Sequence, residues 1–118
     1  MEEIKVNIFN LVGNGDCTLP EDGDKIFDIL KKSLNDDKKI IISFKNINSI
    51  TSAFLNSAIG KLYGEFEESK IKESLKIEDM LIEDKIILKR VISGAKLYFK
   101  DPERMINSIK KILGEEDE

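Results

Sequence analysis

Residues 40–62, IIISFKNINSITSAFLNSAIGKL, decide the fold. Ile40, Ile41, Ile42, Ser43 and Phe44 form a short, β-branched and nearly all-apolar run, the pattern of a strand covered on both faces. Lys45–Ser49 is polar and Asn-rich and predicts a turn. Apolar residues then recur at Phe54, Leu55, Ala58, Ile59 and Leu62, which is the spacing of an amphipathic helix. Thr51 and Ser52 stand where that helix must begin. A hydroxyl there caps the helix by accepting a backbone N–H, and a phosphate there lies at the positive end of the helix dipole. From the residues alone both readings, ordinary cap and phosphorylation switch, stay open.

Working outward from this stretch, Ile4, Val6 and Ile8 alternate with Lys5, Asn7 and Phe9, predicting a first strand over residues 3–12. Gly13-Asn14-Gly15-Asp16 is a turn by composition. Pro20-Glu21-Asp22-Gly23-Asp24 opens a helix with acids at its positive end, and Ile26, Phe27, Leu30 and Leu34 carry it over residues 22–35. On the other side, Glu65–Glu73 is strongly charged and weakly patterned. Leu75, Ile77 and Met80 suggest a third strand. Leu88, Val91, Ile92, Ala95 and Phe99 mark one face of a long helix over residues 83–99.

Asp101-Pro102-Glu103 is a helix start, with an acidic cap and Pro in the first turn. Met105, Ile106, Ile109, Ile112 and Leu113 give that last helix an apolar stripe, read as core or as the seam of a homodimer. The order β-α-β-α-β-α-α has no repeat and no long linker. It predicts one small α/β domain over residues 1–114, a single-layer sheet with helices packed against it, followed by a solvated acidic tail over residues 115–118.

Composition narrows the function. With 41% hydrophobic and 36% charged residues the chain has the make-up of a globular cytoplasmic protein. No apolar run approaches the roughly 20 residues needed to cross a bilayer, so no membrane is expected. The net charge is −4 and basic residues adjoin one another only in short pairs such as Lys31-Lys32 and Lys38-Lys39, which argues against nucleic acid as a partner. One cysteine, Cys17, excludes an intramolecular disulfide. The absence of histidine removes the commonest general base and the commonest metal ligand. No enzyme, no metal and no cofactor is therefore expected.

The remaining candidate groups have plain readings. Gly13-Asn14-Gly15 can cradle an anion through backbone N–H groups, but no Lys-Ser/Thr follows it and a turn fits better. Asp16, Asp22 and Asp24 lack the offsets of a calcium loop and read as solvated acids. Cys17, with no histidine to activate it, reads as a small packed residue. Ser57, five residues after Ser52, reads as a helix residue.

The strand ending in Phe44, followed by Asn46-Ile47-Asn48-Ser49-Ile50-Thr51-Ser52-Ala53-Phe54-Leu55, resembles the STAS-like family of small bacterial proteins, a domain of unknown function. More distantly it is similar to the STAS domains of anti-sigma-factor antagonists. There a strand leads through a short loop to an Asp-Ser or Asp-Thr pair opening a helix, and a partner kinase phosphorylates the hydroxyl. By this resemblance Ser52 matches the phosphorylated position, Thr51 the preceding Asp and Ile50 the apolar residue before the pair. Cys17–Ile26 looks like the family's loop into its first helix, with Gly23 as its clearest residue. The chain departs from that pattern at Thr51, at Phe54, where the antagonists carry a small Gly, and near Leu19, where no basic residue stands.

The resemblance spans roughly residues 4–99 and is specific over 40–62. It implies a non-enzymatic regulatory module that binds another protein, a kinase-like ATPase, through Ser49, Thr51, Ser52 and Asn56. Two other readings stand beside it: a small-ligand or nucleotide sensor, and an accessory of mobile elements or host conflict that inhibits a specific enzyme.

Overall fold

The computed structural model of the protein describes residues 2–100 and 109–114. In chain order its elements are β1 (Glu3–Asn7), α1 (Ile8–Val12), β2 (Asp16–Cys17), α2 (Pro20–Asn35), β3 (Lys39–Ser43), β4 (Ser49–Ile50), α3 (Ser52–Ala58), a 3-10 helix (Gly60–Gly64), α4 (Glu68–Ser74), β5 (Leu75–Glu78) and α5 (Ile82–Lys100). The three apolar stretches become one parallel sheet in the order β1-β3-β5. Ile4, Ile40 and Leu75 share one row and Val6, Ile42 and Ile77 another. Because successive side chains alternate between faces, these six point to one side, where Val6, Ile40 and Ile42 are buried. The mixed α/β architecture expected from the sequence is thus present.

The opposite face of the sheet corrects one expectation. Ile40–Ile42 reads as a strand covered on both sides, yet Ile41 stands in a row with the exposed Lys5 and Lys76 and is only half-buried. Lys5 reaches across to Glu78 at 3.8 Å. The helices layer on the apolar side: α2 lies against β3, α3 packs along α2, and α5 packs against α3 and the 3-10 helix. Ile26, Leu30 and Leu34 of α2 and Phe54 and Leu55 of α3 are fully buried there.

Gly23 lets α2 approach α3. A Cβ at that position would sit 2.6 Å from the Phe54 carbonyl oxygen and 2.8 Å from Ser57 Cβ. Its place in the sequence pattern therefore reflects a helix crossing.

Several short elements depart from the expected order. The first strand stops at Asn7, whose side-chain oxygen accepts the Asn10 N–H at 2.9 Å and starts α1. Gly13, with φ of 93°, ends α1 five residues later. Ile8 is fully buried, so the alternation that suggested a strand continues into the first helical residue.

The charged stretch 65–73 holds all but the last residue of α4, anchored by buried Ile71 and tied down by Lys70–Asp37 at 2.8 Å and Lys96–Glu68 at 2.6 Å. The helix expected to reach Leu62 ends at Ala58 and tightens into the 3-10 turn. A two-stranded parallel pair, β2 with β4, was not expected.

The start of the last helix at Asp101-Pro102-Glu103, its residues Met105 and Ile106, and the tail 115–118 lie outside the described residues. Residues 109–113 are helical, with Ile109, Ile112 and Leu113 exposed. Among the described residues no helix is long and apolar enough to cross a membrane.

Candidate functional site

The segment between β3 and α3 is held by its backbone. Asn46 takes a left-handed conformation, φ 65°, which asparagine accepts more readily than most residues. The Asn48 and Ser49 N–H groups both donate to the Gly15 carbonyl, at 2.8 and 3.2 Å, and the Thr51 N–H donates to the Cys17 carbonyl at 3.0 Å. Ser49 Oγ adds a hydrogen bond to Asp16 Oδ1 at 2.9 Å. A Cβ on Gly15 would meet Asn48 Nδ2 at 2.7 Å and the Asn46 carbonyl at 2.8 Å, so this glycine allows the two segments to meet.

The helix entrance divides the two candidate hydroxyls. Thr51 is the N-cap: its backbone is extended, its Oγ1 accepts the Phe54 N–H at 3.1 Å, and the same hydroxyl donates to the Thr18 carbonyl at 3.1 Å. Ser52, the alternative cap in the sequence reading, is instead the first helical residue. It is exposed, and its hydroxyl makes no hydrogen bond among the described residues. Phe54, at the position where antagonists carry Gly, is fully buried and fixes this end of α3 in the core.

Asn56 lies four residues after Ser52, on the same face of the helix. Across from them runs α5, and between the two helices is a groove of 530 Å³ lined by Ser52, Asn56, Arg90, Val91, Ala95 and Tyr98, among others. Lys61 reaches its rim, already paired with Asp24 at 2.8 Å and lying 4.3 Å from the Phe27 ring centroid. A second groove, of 580 Å³, opens between the 3-10 turn and the end of α5. Its Lys96 and Glu68 are joined at 2.6 Å. The hydrogen bond from Lys96 holds the Glu68 carboxyl below its usual range.

Of the four residues expected at the site, Ser52 and Asn56 line the groove, whereas Ser49 and Thr51 support it from the β2–β4 side. The sequence reading recorded only the apolar face of α5 and did not single out Arg90 or Tyr98. A signal for Arg90 was present: of 19 basic residues only Arg90 and Arg104 are arginines, and Arg90 lies off the apolar stripe.

The other polar candidates have structural roles. Asp16 accepts from Ser49, Asp22 pairs with Lys25 at 3.8 Å and Asp24 with Lys61. Cys17 is fully buried, and burial together with the nearby Asp22, Asp16 and Asp84 carboxylates raises its thiol to about 11. Among the described residues no group of three or more Cys, Asp or Glu side chains is placed to hold a metal ion.

An open parallel sheet with its helices on one side, and a hydroxyl-bearing helix entrance beside a groove, defines a small α/β domain of STAS-like type. The family model for the STAS-like domain of unknown function (DUF4325) matches residues 22–84, more than half of the chain, and the protein belongs to that family. The matched region runs from α2 into the first turn of α5. It includes Thr51, Ser52 and Asn56 and stops short of Arg90. No curated protein and no solved structure matches the chain.

Proposed function

We propose that the protein is a non-enzymatic regulatory module that binds a protein partner at the α3–α5 groove and is switched by phosphorylation of Ser52. The observation that carries this reading is the contrast among three neighbouring hydroxyls. Ser49 is bonded to Asp16 and Thr51 to both Phe54 and Thr18, while the Ser52 hydroxyl is exposed at the edge of the groove and unbonded among the described residues. A modifying enzyme therefore meets one available hydroxyl whose use leaves the helix cap intact.

The partner that the resemblance favours is a kinase-like ATPase. In the transfer, Ser52 Oγ bonds to the γ-phosphorus of ATP as the bond to the β–γ bridging oxygen breaks. ADP leaves, and the hydroxyl proton passes to a base of the kinase. The product carries nearly two negative charges and three strong acceptors at the groove. A partner seated there is then lost through repulsion and desolvation.

Capture from native cells with wild-type, Ser52→Ala and Ser52→Asp baits, read by mass spectrometry, tests this. A partner retained by wild type and Ser52→Ala and lost with Ser52→Asp is the expected result. A partner held equally by all three sinks the switch and leaves a constitutive adaptor or an inhibitor.

A ligand-sensing role rests on a different observation: 530 Å³ falls within the range of small-molecule sites, and the groove combines an aromatic ring with a cation. A rise in melting temperature with millimolar nucleotide would favour it.

A further inference from the structure

Ser52 and Arg90 share the lining of two adjoining hollows. Both line the 530 Å³ groove with Asn56 and Tyr98, and both line an adjoining hollow of 400 Å³ with Ile87 and Val91. Neither is lined by a carboxylate among the described residues. The ion pairs among those residues are all made by lysines, Lys61 of the groove rim included. Arg90 is exposed, enters none of them, and is the one arginine among the described residues. Among the described residues, the groove therefore holds one cation that no neighbouring carboxylate neutralises.

We infer that Arg90 is the receptor for the phosphoryl group of Ser52 and that its capture of that group is how the switch closes the groove. The inference rests on the phosphorylation reading of Ser52 given above. A guanidinium presents a planar fork of N–H donors that matches two phosphate oxygens at once, which an ammonium cannot do. Asn56, four residues along the same helix, lines the same groove with a polar side chain.

In the unmodified protein the fork is open to a carboxylate of the partner, the complementary charge for an unpaired cation over the apolar floor of Val91 and Ala95. Once Ser52 is modified, the phosphoryl group is tethered in the same groove and carries more charge than a carboxylate. An intramolecular ligand of that kind outcompetes one arriving from solution. Loss of the partner is then a contest for one side chain and requires no rearrangement of the fold.

The test needs no partner. The chain is made with phosphoserine at position 52 by codon reassignment, in the wild-type, Arg90→Gln and Arg90→Lys backgrounds. The phosphate is titrated by phosphorus NMR. Its second ionisation, ordinarily near pH 6, falls by about half a unit or more in the wild-type background, because a neighbouring cation favours the dianion. It returns toward the ordinary value in Arg90→Gln, and Arg90→Lys, which keeps the charge without the fork, lies between. Melting curves of the unmodified variants verify that the exposed substitution leaves the fold intact.

Identical titrations in the wild-type and Arg90→Gln backgrounds overturn the inference. Failure of the switch itself would instead appear in the capture experiment, as a Ser52→Asp bait that binds like wild type.

Discussion

At Thr51 and Ser52 two adjacent hydroxyls have opposite roles, and the difference is measurable. Thr51 satisfies a backbone donor of α3 and ties the helix to the Thr18 carbonyl, so Thr51→Ala should cost about 1–2 kcal/mol in urea unfolding. The Ser52 hydroxyl bonds to nothing among the described residues, and Ser52→Ala should stay within about 0.5 kcal/mol of wild type. Equal costs would mean that the cap is shared. The pair was legible in the sequence as a helix entrance, but its division of labour was not. Serine and threonine are both good caps, and the choice is made by the extended backbone of Thr51, φ −115° and ψ 157°. That conformation depends on the Thr51 N–H reaching Cys17, a contact between segments far apart in the chain. Arg90 was hidden for a related reason. Periodicity identifies the residues that face the core and does not say which exposed residue looks onto another helix.

Among the elements, the crossing of α2 over α3 depends on the missing side chain at Gly23. Replacing a helical glycine with alanine ordinarily gains up to about 1 kcal/mol. Here the new Cβ would press on the Phe54 carbonyl oxygen at 2.6 Å, and backbone cannot yield as a flexible side chain does. Overpacking of this kind costs about 1–3 kcal/mol, so Gly23→Ala should unfold at lower urea than wild type. A stabilised Gly23→Ala would show that the helices can separate freely. α2 and α5 were readable because each repeats its apolar period over several turns, and β3 because its short β-branched run is nearly all apolar. α1 has 5 residues and α4 has 7, too few turns for a period to register. β2 and β4 have 2 residues each and exist only as a pair.

For the whole molecule, the one-sided sheet makes two adjacent isoleucines unequal. Ile42 is fully buried under the helices, and Ile42→Ala should cost about 2–5 kcal/mol. Ile41, half-buried between Lys5 and Lys76, should accept threonine for about 1 kcal/mol or less. Comparable losses at the two positions would mean that something covers the lysine-bearing face in solution. The sequence could not separate them, because a run of three isoleucines reads the same whichever side is wet. The distinguishing residues lie on β1 and β5 and become relevant only once the strands align. The same long-range pairing has a consequence for time. The segment leading to Ser52 is fastened to residues 15–18 by the β2–β4 pair, by backbone hydrogen bonds from Asn48, Ser49 and Thr51, and by two from side chains, so it has little slack to take up. A charge written onto such a frame changes what the surface says without waiting for the chain to move. Under the proposed switch, the message would be sent and erased as quickly as the bond to the Ser52 hydroxyl is made and cut.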